Sequence, residues 1–359
     1  MASILTNASA LTALQSLNAT NKALEQTQAR ISTGYRVADA ADNAAYWSIA
    51  TTMRSDNQAL STVQDALGLG ASRIDTAYTG INNAISVVDQ IKAKLVASYN
   101  ASDSDKAKIQ TEIKSLQAQL KAYADAATFS GTNILSVSSD KQADGTTATA
   151  GTGVQPDLNI VSGFNRSSNG TASISTIAVD VDKVKLFDAS ANAKNAGLLD
   201  RKTSIYATAA DQAKYDEAYA TAIKAGNSDA DAHTAGVAAA GTPTPAPLTG
   251  ISIFNLDITA AGVTDDFINQ MITKADGVLN QLTDAATVIG SVKKQIDLQK
   301  TFTQSLMDSI DRGVGQLVDA DMNKESTRLQ ALQVQQQLGI QALSIANANS
   351  QNILSLFKG

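Results

Sequence analysis

The sequence predicts a mainly α-helical fold: a long antiparallel helical coiled-coil rod formed by the N- and C-terminal regions, with a small α+β insert at the tip. Three observations carry this. Apolar residues recur at helical spacing through residues 4–128 and again through 264–356. Between these stretches the pattern changes to short alternating runs, turn residues and low-complexity segments. Aromatic residues make up only 4% of the chain, which is thin for one thick globular core, because aromatics carry large buried area. The abundant small residues suit close helix packing instead.

The first helix is expected over 4–33. Leu17, Leu24 and Ile31 are seven apart, Leu11 and Leu14 extend the stripe, and the opposite face carries Asn, Gln, Thr and Lys. Gly34 stops it, as glycine does at a helix C-terminus. Asp42 or Asn43 can cap a second helix over 44–98. Ile49, Met53, Leu60, Ile74, Ile81 and Ile91 are among its apolar positions. Residues 100–104 read as a turn, and 105–128 as a third helix that folds back on the second.

The grammar changes at about Phe129. "QADGTTATAGTG" reads as a flexible loop, and "SISTIAVDVDKV" alternates at Ile177, Val179 and Val181 like a strand. Residues 208–240 are Ala-rich and fit one or two short helices. Three prolines in "GTPTPAPLTG" exclude regular structure, and "ISIFNLDI" reads as a returning strand.

Helical grammar resumes at Thr264, where Asp265 and Asp266 mark a helix start. "DRGVGQLVDADM" interrupts it, and a last helix is expected over 323–356. The order is symmetric: helix, break, helices, insert, long helix, break, helix. The simplest geometry folds the chain back so that the terminal helices pair. At about 1.5 Å per residue, fifty helical residues span roughly 75 Å. The divisions expected are 1–33 and 319–359 for the terminal helices, 34–43 for a connector, 44–135 and 265–318 for the helical core, and 136–264 for the insert.

The two ends are the informative part. Each has an apolar stripe on a helix otherwise crowded with Ala, Ser, Asn and Gln. A helical hairpin of this polarity is marginal by itself. Either the ends stay partly disordered or identical copies cover them. An ordinary coiled-coil hairpin within a monomer is the plain alternative.

Bulk properties exclude several classes. The formal net charge is -6, so a nucleic-acid partner, which calls for a basic face, is not expected. No window approaches twenty apolar residues, so no membrane partner or span is expected. There are no cysteines, so stability must come from length, packing or assembly. The start lacks the charged n-region of a secretory signal; the first basic residue is Lys22.

Three stretches, in order, carry a resemblance: "ILTNASALTALQSL", "ARISTGYRVADAADNAAYWSIATTMRS" and "LQVQQQLGIQALSIANANSQNILSLF". They resemble bacterial flagellins, with wording similar to those of soil alphaproteobacteria, over about 1–135 and 265–359. The resemblance implies a subunit that is exported unfolded, without a cleaved signal peptide, and polymerises into a hollow extracellular filament used as a propeller. It implies the terminal helices as inner tubes, the middle helices as an outer tube and the insert facing solvent. Partners implied are the chain itself, other flagellins, the flagellar export apparatus and its chaperone, the filament cap and hook-associated proteins. No cofactor and no enzymatic activity are implied.

On this reading, subunit packing falls to Ile4, Leu5, Leu11, Leu14, Leu17, Leu24 and Ile31 at one end. At the other it falls to Leu338, Leu343, Ile345, Ile353, Leu354 and Phe357. In the connector, Gly34 is the break, Val37 packs locally, and Arg36 and Asp39 contact neighbouring subunits, with plain solvation as the alternative for the two charges. Gln90 and Lys94 stand where many flagellins carry the Arg and Leu read by the animal innate receptor. Ala45, Tyr46 and Trp47 depart from the plant-sensed pattern. Weak recognition by both is expected. Ser350 stands where the family usually has Pro, which favours an unbroken last helix.

Catalytic chemistry finds little support. His233 is the single histidine, expected at the surface, so a His-Glu-x-x-His zinc site cannot be built. Gly68 and Gly70 sit mid-helix with no preceding strand, so they read as close packing rather than a dinucleotide loop. Asp319 and Asp321 read as helix-start capping rather than a metal pair. Asn165-Arg166-Ser167 and Asn169-Gly170-Thr171 match a glycosylation pattern that is frequent by chance. Rival readings are a hook–filament junction protein, or a surface adhesin or binding module on a helical stalk.

Overall fold

A computed structural model describes residues 7–139, 156–167, 169–189, 196–206, 208–241 and 248–356. Side chains of residue 230 and of 349–356 are not described. Helix accounts for 69% of the described residues, with long N- and C-terminal helices and a small strand-containing insert between them. The chain divides into two compact units. One comprises the residues through Ser61 and those from Gln304; the other comprises Thr62–Thr303.

The first unit contains α1 (Ala8–Thr33), α7 (Met322–Leu356), the first part of α2 (Ala44–Ser98) and the last part of α6 (Asp265–Val318). Each helix end has an identifiable cause. The Asn7 side chain accepts from the N–H of Ala10 and starts α1, and Gly34 ends it at φ +74°, a left-handed conformation that costs a side-chain-bearing residue about 1–2 kcal/mol. Asn43 accepts from the N–H of Tyr46 at the start of α2. Asp321 accepts from the N–H groups of Asn323 and Lys324 at the start of α7. Val37, Ala50, Val314 and Val318 form a small buried cluster here.

The second unit holds the main core. The rest of α2 and of α6 run antiparallel, joined by Lys92–Asp276 and Lys293–Asp75 ion pairs, with α3 (Asp103–Ala126) alongside. Ser102 caps α3 by accepting from the N–H of Asp105. Ile74, Ile81, Ile91, Leu120, Leu282 and Ile289 are fully buried among these helices. Gln110 and Gln117, also buried, donate to the Leu256 carbonyl and so tie α3 to the end of the insert.

The insert is built from two-stranded pieces. β1 (Thr128–Phe129) pairs antiparallel with β2 (Thr132–Asn133). β3 (Ser136–Val137) lies parallel to β6 (Phe187–Asp188). β4 (Leu158–Arg166) and β5 (Ala172–Val179) form an antiparallel hairpin with an irregularity between Val161 and Gly163. β7 (Thr203–Ile205) pairs with β8 (Leu248–Ile251). Between β7 and β8 come α4 (Ala209–Lys224) and α5 (Asp229–Ala240). The β3–β6 junction is held by Lys185, fully buried, whose Nζ donates to Asp188 Oδ2 at 2.7 Å and forms an ion pair with Asp182 Oδ1 at 2.6 Å.

The structure departs from the sequence reading in several places. The alternation at Ile177 and Val179 is a strand, but Val181 opens a 3-10 turn, Val181–Lys183. "ISIFNLDI" is mostly not a strand, since β8 ends at Ile251. The Asn255 carboxamide accepts from both the N–H and the hydroxyl of Ser252 and closes a turn there. His233 is half-buried on α5, not at the surface, with Nδ1 2.8 Å from the Tyr215 hydroxyl. The "QADGTTATAGTG" loop lies outside the described residues.

Candidate assembly surfaces

In the first unit α1 and α7 pack antiparallel. Asn7 Nδ2 donates to the Ala346 carbonyl at 3.0 Å, Gln336 Nε2 to Asn21 Oδ1 at 2.8 Å, and Arg30 Nη1 to Glu325 Oε1 at 3.4 Å. Gly339 lets Leu17 approach closely, since a Cβ there would meet Leu17 Cδ1 at 3.2 Å. What this seam buries is modest. On α1 the buried side chains are Thr20 and Thr27, while Leu17, Leu24 and Ile31 are half-buried.

The expected packing residues therefore divide between two faces. Leu17, Leu24, Ile31 and, on α7, Leu343 lie half-buried on the seam. Leu11 and Leu14 point away from it, 56% and 44% exposed. On α7, Val334, Leu338 and Ile345 are also exposed, Leu338 by 58% and Ile345 by 65%. At 100° per residue these three fall on one stripe, opposite Leu332, Gly339 and Leu343. So α7 is apolar on two sides, and the intrachain seam uses one of them. Ile4, Leu5 and Phe357 lie outside the described residues. Ile353 and Leu354 fall in the helical backbone of α7, which runs unbroken through Ser350, but their side chains are not described.

The two breaks in the helical pattern meet. The N–H groups of Arg36 and Val37 both donate to the Val318 carbonyl, Ala320 N–H donates to the Gly34 carbonyl, and Tyr35 forms an antiparallel bridge with Asp319. Arg36 Nη2 donates to the Leu317 carbonyl at 2.8 Å, and Val37 is buried beside Val318. Asp39 Oδ1 accepts from the Ala41 N–H at 2.8 Å. Arg36 and Asp39 thus both have intrachain partners, which the sequence reading did not foresee. Asp319 sits in the bridge and Asp321 in the α7 cap. Among the described residues no group of three or more His, Cys, Asp or Glu could hold a metal ion. Among the described residues, likewise, no helix is long and apolar enough to cross a membrane.

In the second unit Gln90 is exposed, and Lys94 pairs with Glu112 at 2.5 Å. Gly70 is a close approach: a Cβ there would lie 2.4 Å from Ile160 Cγ2, whereas at Gly68 it would meet nothing within 4 Å.

Comparison with known proteins matches both helical regions. Residues 4–140 match the bacterial flagellin N-terminal helical region, and residues 272–357 match the bacterial flagellin C-terminal helical region. The chain is 47% identical over 358 residues to flagellin C of Rhizobium meliloti strain 1021, and 45% identical over 359 residues to a flagellin of Brucella melitensis biotype 1. It is 45% identical over 401 aligned positions to flagellin A of Rhizobium meliloti. In each case the match covers 100% of both chains. With both terminal regions matched and the full length aligned to such relatives, the chain belongs to the bacterial flagellin family.

Proposed function

We propose that the outward apolar stripes of α1 and α7 are the surfaces through which copies of this chain polymerise. Family membership makes the chain a structural subunit of a filament that serves motility. The supporting observation is the second apolar face of α7, formed by Val334, Leu338 and Ile345, which nothing in the chain's own α1–α7 seam covers. Leaving such a stripe in water is unfavourable, and identical neighbours remove it.

On this reading α1 and α7 form an inner layer of the polymer. The hydrogen-bonded connectors at 34–37 and 317–320 lead to an outer layer of α2, α3 and α6, and the insert faces solvent. The role is structural rather than catalytic, and the place of action is the extracellular filament. Export proceeds unfolded and without a cleaved signal, with the export apparatus, its chaperone, the cap and hook-associated proteins as partners. Innate recognition through Gln90 and Lys94 is weak, and the Lys94–Glu112 ion pair supports this by engaging one of the two side chains.

Electron microscopy of purified protein seeded with filament fragments tests the proposal. Long tubes are expected. Removal of residues 1–33 or 319–359 should abolish tube growth while circular dichroism of the remaining core persists. Tube growth by either truncated form would refute the role given to the ends. Particles that stay short would favour the junction-protein reading.

A further inference from the structure

The second unit holds a partly open pocket of about 570 Å³. It is walled by α4, the start of α5, the segment leading into β7, and the first part of α6. Its size is that of a small-molecule site. Leu198, Ile205, Ile223, Ile253 and Val278 make much of the wall apolar.

The charged groups in the wall are unevenly provided for. Both acids have a donor from the protein: the Tyr219 hydroxyl donates to Asp229, and Gln212 Nε2 donates to Asp216 Oδ1 at 3.1 Å. The cations do not. Arg201 Nε is buried without a hydrogen-bond partner, and neither the Arg201 nor the Lys274 side chain makes an ion pair or hydrogen bond among the described residues. Burial lowers the Lys274 pKa, with the charges of Asp216 and Asp229 opposing and that of Arg201 adding to the fall. Three cations and two acids line the wall, an excess of one positive charge, and the buried polar atom left without a partner there is the Nε of Arg201, so the unmet demand is for one negative charge.

We infer that this cavity binds a small organic carboxylate, its carboxylate held by Arg201 and Lys274 and its apolar body lying along Ile205, Ile253 and Val278. The site is independent of polymerisation, since all of its residues lie in the second unit. A single carboxylate suits the pair because the arginine fork takes both oxygens and the ammonium adds a point charge.

Isothermal titration of the full-length unassembled chain with sodium octanoate tests this. One saturable site is expected. Octanol, with the same body and no charge, should bind about tenfold more weakly or worse, and inorganic phosphate, with charge and no body, likewise. R201Q and K274M should each weaken octanoate by a similar factor with unchanged circular dichroism. The inference is overturned if octanoate gives no saturable heat up to about 10 mM, if octanol or phosphate matches octanoate, or if both variants bind as the parent does. Should a variant lose its fold, the comparison of the three probes on the parent chain still decides.

Discussion

Replacing Leu338 and Ile345 by serine separates assembly from folding. Full burial of a leucine or isoleucine side chain is worth about 1.5–3 kcal/mol. Leu338 is 58% and Ile345 65% exposed, so the part still to be gained on assembly is roughly 1–2 kcal/mol for each. If neighbours cover both, the pair contributes about 2–4 kcal/mol to the addition of one subunit. At 1.4 kcal/mol per tenfold, the critical concentration for tube growth should rise by about 30-fold to several hundred-fold. The unassembled chain loses little, because exposed substitutions away from special features usually change stability by less than about 0.5 kcal/mol. Sedimentation of seeded polymer at increasing protein concentration gives the first quantity, and thermal melting of unassembled protein gives the second. A critical concentration within about twofold of the parent would refute the assignment of this face. So would a melting loss as large as the assembly loss, which would place the two side chains in the chain's own core.

Four further outcomes are expected. G70A should destabilise the chain, because its Cβ would meet buried Ile160 at 2.4 Å, an overpacking cost of about 1–3 kcal/mol set against a helix gain near 1 kcal/mol. G68A, with nothing within 4 Å, should instead stabilise by up to about 1 kcal/mol; denaturant melts of the two variants check both signs. The His233 pKa is lowered chiefly by burial from its ordinary 6.5, so the neutral form is the one the fold prefers. Stability from this residue is present above pH 6.5 and is lost as pH falls through the depressed value, and a pH series of melting curves should show this component missing in H233Q. G34A should cost about 1–2 kcal/mol, since alanine at φ +74° is strained, read as a lower melting temperature of the unassembled chain.

The long helices were legible because periodicity over many residues is a strong signal and their ends carry local caps: Asn43, Ser102, Asp321 and Gly34 each do at the backbone what their residue type favours. The two faces of α7 were harder. Leu338, Leu343 and Ile345 are close in sequence and equally apolar, and only the seam with α1 tells which of them turns inward. The Arg36 side chain, read as a contact to neighbouring subunits or as solvated, has an intrachain acceptor that the sequence does not reveal, because the Leu317 carbonyl is a backbone group 281 positions away. His233 was misplaced for a similar reason, since its partner Tyr215 sits on another helix. The strand expected beyond Ile251 failed on one side chain, Asn255, whose carboxamide satisfies Ser252 in place of a neighbouring strand. The cavity left no local mark at all, as its wall draws on residues from Leu198 to Gln281.

The bridge between Tyr35 and Asp319 has a consequence for how such a chain can vary in length. Because the strand of backbone leaving α1 is stitched to the one entering α7, neither crossing can gain or lose a residue by itself without sliding the rungs out of step. An insertion tolerated here would have to be matched by one opposite. Engineered spacers placed in only one of the two crossings should be rejected, and matched pairs accepted.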